Sequence, residues 1–531
     1  MKKILSLCCA LLLLAGLLPG CTVGDPGAYV PTGSGLTYDD PTEDIQATDP
    51  PEETELELTM VYNVNANVNP FQCTDPSNRA WMSLIFQGLF AVDSKYEAWP
   101  VLCDRFWVST DMMTYSFYVR KDATFSDGTP LTAADVIASL EHAMESDMYK
   151  GRFHLVRSLY LSTDGAVTFK LNTPYENFPI LLDVPILKAK QLDHPSPVGT
   201  GPYRLDSSVS GQMRLIRRND WWSKAQLPIN ASSITLMAET DPVAIRDDFE
   251  LGKIQISCAD PGDRNYAPCR NDHELWDCEN GEFLYLNCNL ESWLFETPAI
   301  RSVLTYAINR EALVDEFYDG FAHAATLCAS PLSPYYDTMM AARYEYNPEI
   351  FNQRIQDAKV AFNTVVLLVN GGDPQRVRIA RRIEAMLEES GLVVEVETWT
   401  GSDYYYKLNI GEYDLHLAKT KLSSTMDLSP FFADSGTLCY GGLTNTALYT
   451  QCLDALANRG NYYSTLQEIA DDGRLVPILF GSYAVYVQRG VATNLAPARD
   501  NVFFYHLGLS CADIQLDEEP NTAPPPETTA E

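Results

Sequence analysis

The stretch at residues 115–143, YSFYVRKDATFSDGTPLTAADVIASLEHA, decides the fold, because a strand, a turn and a helix can each be read from it. Tyr115, Phe117 and Val119 alternate with Ser116, Tyr118 and Arg120, the period-two pattern of a strand with one buried face. Asp127-Gly128 supplies a turn. Thr132, with Asp135 three residues on, predicts a capping box opening a helix whose Val136, Ile137 and Leu140 share one face.

Working outward, residues 56–64 alternate as a first strand and run into Asn67, Asn69, Pro70 and Phe71. Residues 166–171 read as another strand, broken at Thr173-Pro174. The segment GTGPY at 199–203 predicts a backbone that turns sharply at two glycines and is stiffened by proline, a structural turn rather than a ligand contact. Residues 213–218 continue as a strand, followed by Trp221-Trp222. Residues 283–289 make a further strand. Residues 299–320 suggest two helices, with Asn309 capping the second and Gly320 ending it. The run 364–369 is β-branched almost throughout, as expected of a strand covered on both faces. Asp373 and Pro374 then start a helix that Gly391 closes, and 392–399 is a second strand. This is a β-α-β unit with parallel strands. Residues 413–418 form the next strand, and 475–480 and 483–488 form two more.

With 531 residues the chain exceeds one ordinary core and predicts two or three domains. Its net charge of −33 excludes an extended nucleic-acid surface, since nothing could neutralise phosphates. Lys2 and Lys3 precede an apolar run from Ile4 to Leu18 and then Pro19-Gly20-Cys21, the pattern of an export signal over residues 1–20. The small residue before Cys21 looks like a bacterial lipobox, which implies acylation of Cys21 and an anchor on the outer face of the cell membrane. Residues 21–55, acidic and rich in Pro, Thr and Gly, read as a disordered tether, and residues 513–531 as a disordered tail. Of the 13 cysteines, ten lie beyond Cys8, Cys9 and Cys21. An even number in an exported chain leaves two readings open, disulfides or buried free thiols.

The segment FSDGTPLTAADVIASL resembles the most recognisable stretch of the family 5 extracellular solute-binding proteins, the peptide and nickel receptors of ABC importers. Asn69-Pro70, the run Ile85 to Phe90, Trp99-Pro100 and GTGPY follow the family's order. The resemblance covers about residues 56–510 and implies an α/β, two-lobed periplasmic-binding-protein-like fold (type II, peptide-binding class) with an extra subdomain in the first lobe. Expected boundaries are 56–285 for the first lobe, including a subdomain at about 80–195, 286–474 for the second, and 475–512 for a return to the first. The implied partners are a peptide or similar small solute and an ABC permease with its ATPase, with the chain acting as a monomer.

No catalytic motif stands beside this. HExxH, GxSxG, a P-loop and a dinucleotide fingerprint are all missing, the seven histidines lack metal-ligand spacing, and no cofactor is expected. A hydrolase acting on peptides or glycans, or a surface receptor or adhesin without transport, are the rival expectations. For the ligand site, peptide-binding relatives use an acidic residue after the strand matching 413–418, because a buried ammonium needs a carboxylate. Aligned on Phe431-Phe432, the family's Gly-Trp falls on Thr420-Lys421 and its acidic positions on Ser424 and Asp427. Lys421 and Ser424 depart from that pattern and admit a ligand with negative charge. Asp427 is the expected ammonium partner. Lys419, Trp399 with Tyr404 as a candidate aromatic wall, and Asn67, Asn69 and Asn289 at a cleft rim complete the expected site.

Overall fold

Two strands are far longer than the sequence announces, and they tie the molecule together. In the computed structural model, which describes residues 56–206 and 212–520, Glu274–Cys288 and Leu475–Val487 pair antiparallel along most of their lengths. The stretches 475–480 and 483–488, read above as two strands, are one continuous strand, because Gly481 and Ser482 keep an extended backbone across the junction. The signal, Cys21, the tether and residues 521–531 lie outside the described residues.

Around these crossing strands runs one sheet of eleven strands. On one side of the pair lie Leu415–Lys421, Thr364–Asn370 and the edge strand Val393–Trp399. On the other lie Ile256–Ala259, Leu56–Tyr62, Ala231–Ala238, Arg214–Arg217 and Tyr203–Asp206. The pairing changes hands within the crossing strands. Glu274 to Glu279 pair with Val487 to Ser482 on the first-lobe side, and Phe283 to Asn287 pair with Phe480 to Leu475 on the far side, with a bulge between. The predicted β-α-β unit forms as Thr364–Asn370, Pro374–Glu388 and Val393–Trp399, with parallel strands and Asp373 capping the helix. Its core is Leu367, Ile379, Ile383 and Leu415, all without exposure.

The opening stretch builds a separate four-stranded antiparallel sheet, ordered Cys103–Val108, Thr114–Val119, Val167–Leu171, Val156–Leu161. Tyr115 and Phe117 pack against Phe169 and Phe178. Ser116, on the opposite face, is also fully buried, where its hydroxyl meets that of Thr168. The capping box at Thr132 and Asp135 starts the helix Ala133–Glu145. The glycines of GTGPY answer a close approach. A Cβ on Gly199 would lie 2.1 Å from the Ile85 carbonyl oxygen, and one on Gly201 2.4 Å from that of Leu84. Gly201 N–H donates to Ile85 and Tyr203 N–H to Leu84, while Ser126 N–H donates to Gly199 and locks the turn of the opening stretch onto this crossing.

Two expectations need correction. The two helices read over 299–320 are one short helix Pro298–Arg301, a 3₁₀ turn Leu304–Ala307 and a helix Arg310–Tyr318 capped by Asn309, so the first is interrupted at Ser302 and Val303. The acidic tail does not begin at 513. Ser510 and Asp513 form a capping box, Ile514 is buried, and Leu516 N–H donates to Phe106, so the chain is docked on the subdomain to that point.

Candidate ligand site at the seam between the lobes

At the bulge, four parts of the chain meet on one carboxylate. Glu279, from the first crossing strand, accepts from Tyr96 Oη at 2.5 Å, from Ser330 Oγ at 2.6 Å and from Arg499 at 3.3 Å. The Arg499 and Glu279 side chains are each 4% exposed, and Arg499 Nη2 donates to Leu422 O at 2.9 Å, at the end of the far-lobe strand. Gly281 is needed here twice over, with φ +73° and the Arg499 guanidinium 2.7 Å from where a Cβ would stand. Truncating either partner would leave the other charge buried alone, a loss of roughly 3–5 kcal/mol.

Arg499 and Asp500 form the tip of a tight turn closed by mutual backbone bonds between Ala498 and Asn501. Both carry positive φ, +42° and +70°, which is costly for residues with a Cβ. The turn aims the two side chains apart. Asp500 Oδ2 receives Lys421 Nζ from the far-lobe strand and faces Arg79, of the helix Pro76–Met82, at 3.6 Å. Burial works against the Asp500 carboxylate, but Lys421 and Arg79 hold it below the usual range. Beside this triad is a cavity of about 110 Å³ whose wall includes Arg79, Met82, Phe86, Tyr149 and Asp500. Arg152, paired with Asp183 and lying over the Tyr149 ring, also lines it.

Period-two alternation puts Lys419 on the same strand face as Lys421. Lys419 pairs with Glu282 at 3.1 Å and with Asp373 at 3.8 Å. Asp260, at the end of a first-lobe strand, sits close by and is pushed up to about 6 by burial and then by the charge of Glu282. Between these groups, burial and the charges of Asp500, Glu282 and Asp260 drive the Tyr483 phenol well above its ordinary range. Farther along, Thr425 joins both sides of the seam: Tyr175 Oη lies 2.6 Å from its hydroxyl, and Tyr462 Oη donates to its carbonyl. A crevice of about 400 Å³ opens here between Tyr96, Trp99, Tyr175, Tyr335, Arg459 and Tyr462.

The structure brings Lys419, Lys421, Ser424 and Asp427 to this seam. Ser424 is 2% exposed and Asp427 8%. Asp427 Oδ1 accepts from Ser429 N–H at 2.8 Å, and its Oδ2 lies 3.3 Å from His154 Nε2 of the subdomain. The asparagines do other work. Asn69 is fully buried, donating to Leu192 and His194 carbonyls and accepting from Phe71, while Asn67 accepts from Asn69 N–H. Asn289 donates to the Gly411 and Tyr413 carbonyls. Tyr404 and Trp399 do not share a wall: Tyr404 is buried in the far lobe against His416, whereas Trp399 ends the edge strand, 38% exposed, under Lys407. Sequence reasoning missed Arg79, Arg499, Asp500, Tyr175 and His154. Only the pairing of Arg499 with Asp500 at a turn carried any signal, and that signal is local.

The ten cysteines among the described residues are all free thiols, among them Cys258 and Cys278, whose burial raises them far out of the reactive range. No helix among the described residues is long and apolar enough to cross a membrane.

Comparison with known proteins bears on the whole arrangement. Residues 97–436 match the model of the bacterial extracellular solute-binding proteins, family 5. The glutathione-binding protein GsiB of Salmonella choleraesuis is 26% identical over 315 residues, 56% of this chain and 61% of that protein. The matched region thus spans about three-fifths of the curated relatives' length. The oligopeptide-binding protein AppA of Bacillus subtilis, solved with a nonapeptide, superposes with a TM-score of 0.61 at 21% identity, covering 86% of this chain and 99% of AppA. NikA of Brucella suis, solved with Fe(III)-EDTA, gives 0.65 at 16% identity, covering 85% and 100%. The sheet carried on two crossing strands is the two-lobed type II fold of these neighbours, and the chain belongs to the family 5 bacterial extracellular solute-binding proteins.

Proposed function

We propose that this chain is the solute-binding receptor of an ABC importer, held outside the cell by a lipid on Cys21, taking up a short peptide between its lobes and handing it to a membrane permease. The observation that carries this reading is the seam itself, where Lys421 of the far lobe, Asp500 of the return segment and Arg79 of the first lobe converge beside a cavity. Side chains from both lobes on one site are what a ligand needs in order to favour the closed over the open arrangement. Asp427 serves the ligand's ammonium by exchanging His154 for it. Kinship with proteins named for glutathione and oligopeptides supports the substrate class.

Thermal shift and calorimetry of the full-length chain with glutathione, tri- to pentapeptides, sugars and metal chelates test this. Stabilisation by peptides with no product formed is the expected result, and turnover of a bound peptide would replace the receptor with a hydrolase. Asp427→Ala should weaken peptide binding about tenfold or more, a loss of about 1.4 kcal/mol. Cys21→Ala should release the protein from membranes, and continued retention would remove the lipid from the account.

A further inference from the structure

We infer that Arg79 and Lys421 form a carboxylate-binding subsite that spans the two lobes, and that Asp500 is an internal carboxylate holding that subsite until a ligand carboxylate replaces it. The inference rests on the seam being the ligand site, and it names the ligand class as a solute bearing a carboxylate.

Three observations point the same way. First, the charges do not match one for one. Arg152 has Asp183 and Arg499 has Glu279, but Arg79 and Lys421 share one oxygen of Asp500. Arg79 and Asp500 both line the cavity, so this shared pairing is open to a solute there. Second, neither Arg79 nor Asp500 is well satisfied by the other. Their 3.6 Å separation exceeds a hydrogen bond, and of the guanidinium's five donors one goes to the Cys73 carbonyl at 3.3 Å and another side-chain contact is made with Tyr149. Asp500 Oδ1 is buried with no hydrogen-bond partner among the described residues, and the side chain as a whole is 10% exposed. A carboxylate entering from the cavity could meet Arg79 in the bidentate geometry that Asp500 does not reach. Third, the backbone that presents Asp500 is strained. Two consecutive residues with positive φ, neither a glycine, hold the carboxylate there, and such strain marks sites that switch arrangement.

Lys421 supplies the coupling between lobes. It stands on the far-lobe strand, while Arg79 stands on the first lobe, so an anion between them is attracted to both and draws the lobes together. Lys421 keeps 38% of its side chain exposed, so an external anion can reach it. Arg79, Arg152, Arg499, Asp183 and Asp500 are the charged groups that line this cavity, and Lys421 and Glu279 pair with two of them, Asp500 and Arg499.

Chemical rescue tests the subsite without knowledge of the natural ligand. Asp500→Gly removes the internal carboxylate, and glycine fits φ +70° without strain, so the variant is expected to fold. The full-length variant should have a lowered Tm that sodium acetate restores by at least half, saturably, while sodium chloride at equal ionic strength does not. Adding Lys421→Met should abolish that rescue. Failure of acetate to rescue, equal rescue by chloride, or rescue that survives in the double variant would overturn the subsite. A second measurement keeps it falsifiable should the variant be unstable: the wild-type chain should bind trialanine at least tenfold more tightly than trialanine amide, and equal affinities would overturn it. The two readings fail separately. Acetate rescue in a protein that binds no peptide sinks the peptide receptor alone, whereas peptide binding indifferent to amidation, with no rescue, sinks the carboxylate subsite alone.

Discussion

The stretch 115–143 and the stretch 419–427 behave in opposite ways. In the first, the turn and cap contacts join residues close in sequence, Thr132 with Asp135, Asp127 with Thr129 and Phe125 with Thr129, and distant residues supply mainly packing. In the second, the polar side chains find their decisive partners far away. Lys421 meets Asp500, Thr425 meets Tyr175, and Asp427 meets His154, across 79, 250 and more than 250 residues. The first region is scaffold whose chemistry is turn and cap; the second is a meeting place whose chemistry exists only once the chain has folded.

That contrast can be broken most severely at the scaffold. Gly201→Ala should destabilise the protein by roughly 3 kcal/mol or more, because the added carbon falls on the backbone of Leu84 and Ile85 and backbone cannot rotate away. Denaturant titration checks it, and a loss below about 1 kcal/mol would mean that the crossing of these two segments is loose.

A buried histidine behind the seam sharpens the comparison next. His416 is 3% exposed and bonded to Tyr404 Oη, and burial followed by the charge of Arg376 lowers it to about 3. The unfolded chain takes up this proton near pH 6.5 while the folded one refuses it, so stability falls as pH drops from about 6.5 toward 3. His416→Gln should flatten that acid limb, worth on the order of a few kcal/mol. An unchanged pH profile would show that His416 is not what limits acid stability.

The smallest effect belongs to the cap. Thr132→Ala removes the side chain that accepts from Asp135 N–H and should cost about 1 kcal/mol without changing ligand affinity. A change in affinity instead would join the two regions that the contrast separates.

How far the sequence is legible follows the same division. The opening strand, the capping box and the β-α-β unit were readable because period, cap and turn chemistry are local, whereas the glycines of GTGPY, which read as a sharp turn, have no positive φ and answer instead the approach of the distant Leu84 and Ile85. The continuity of Leu475–Val487 was not, since Gly481 normally punctuates and here lies against Asn280 at the bulge. Lys419 and Lys421 could be read equally as solvated surface charge, and only the fold supplies Glu282, Asp373 and Asp500 as their partners. Trp399, Tyr404 and Tyr405 cluster in sequence, yet a strand end and a helix send them to the outer edge, the far-lobe interior and the surface. Asn69 and Asn289 carried the right chemistry for a cleft rim, but their amides tie loops together.

Hydrogen exchange of the full-length chain, with and without the peptide that gives the largest thermal shift, tests the central claim most directly. The account predicts slowed exchange at residues 419–429, 96–99 and 498–502, where both lobes meet the ligand, and no change at 115–143. Protection spread evenly over both regions, or confined to the scaffold, would contradict a receptor that closes on its ligand at this seam.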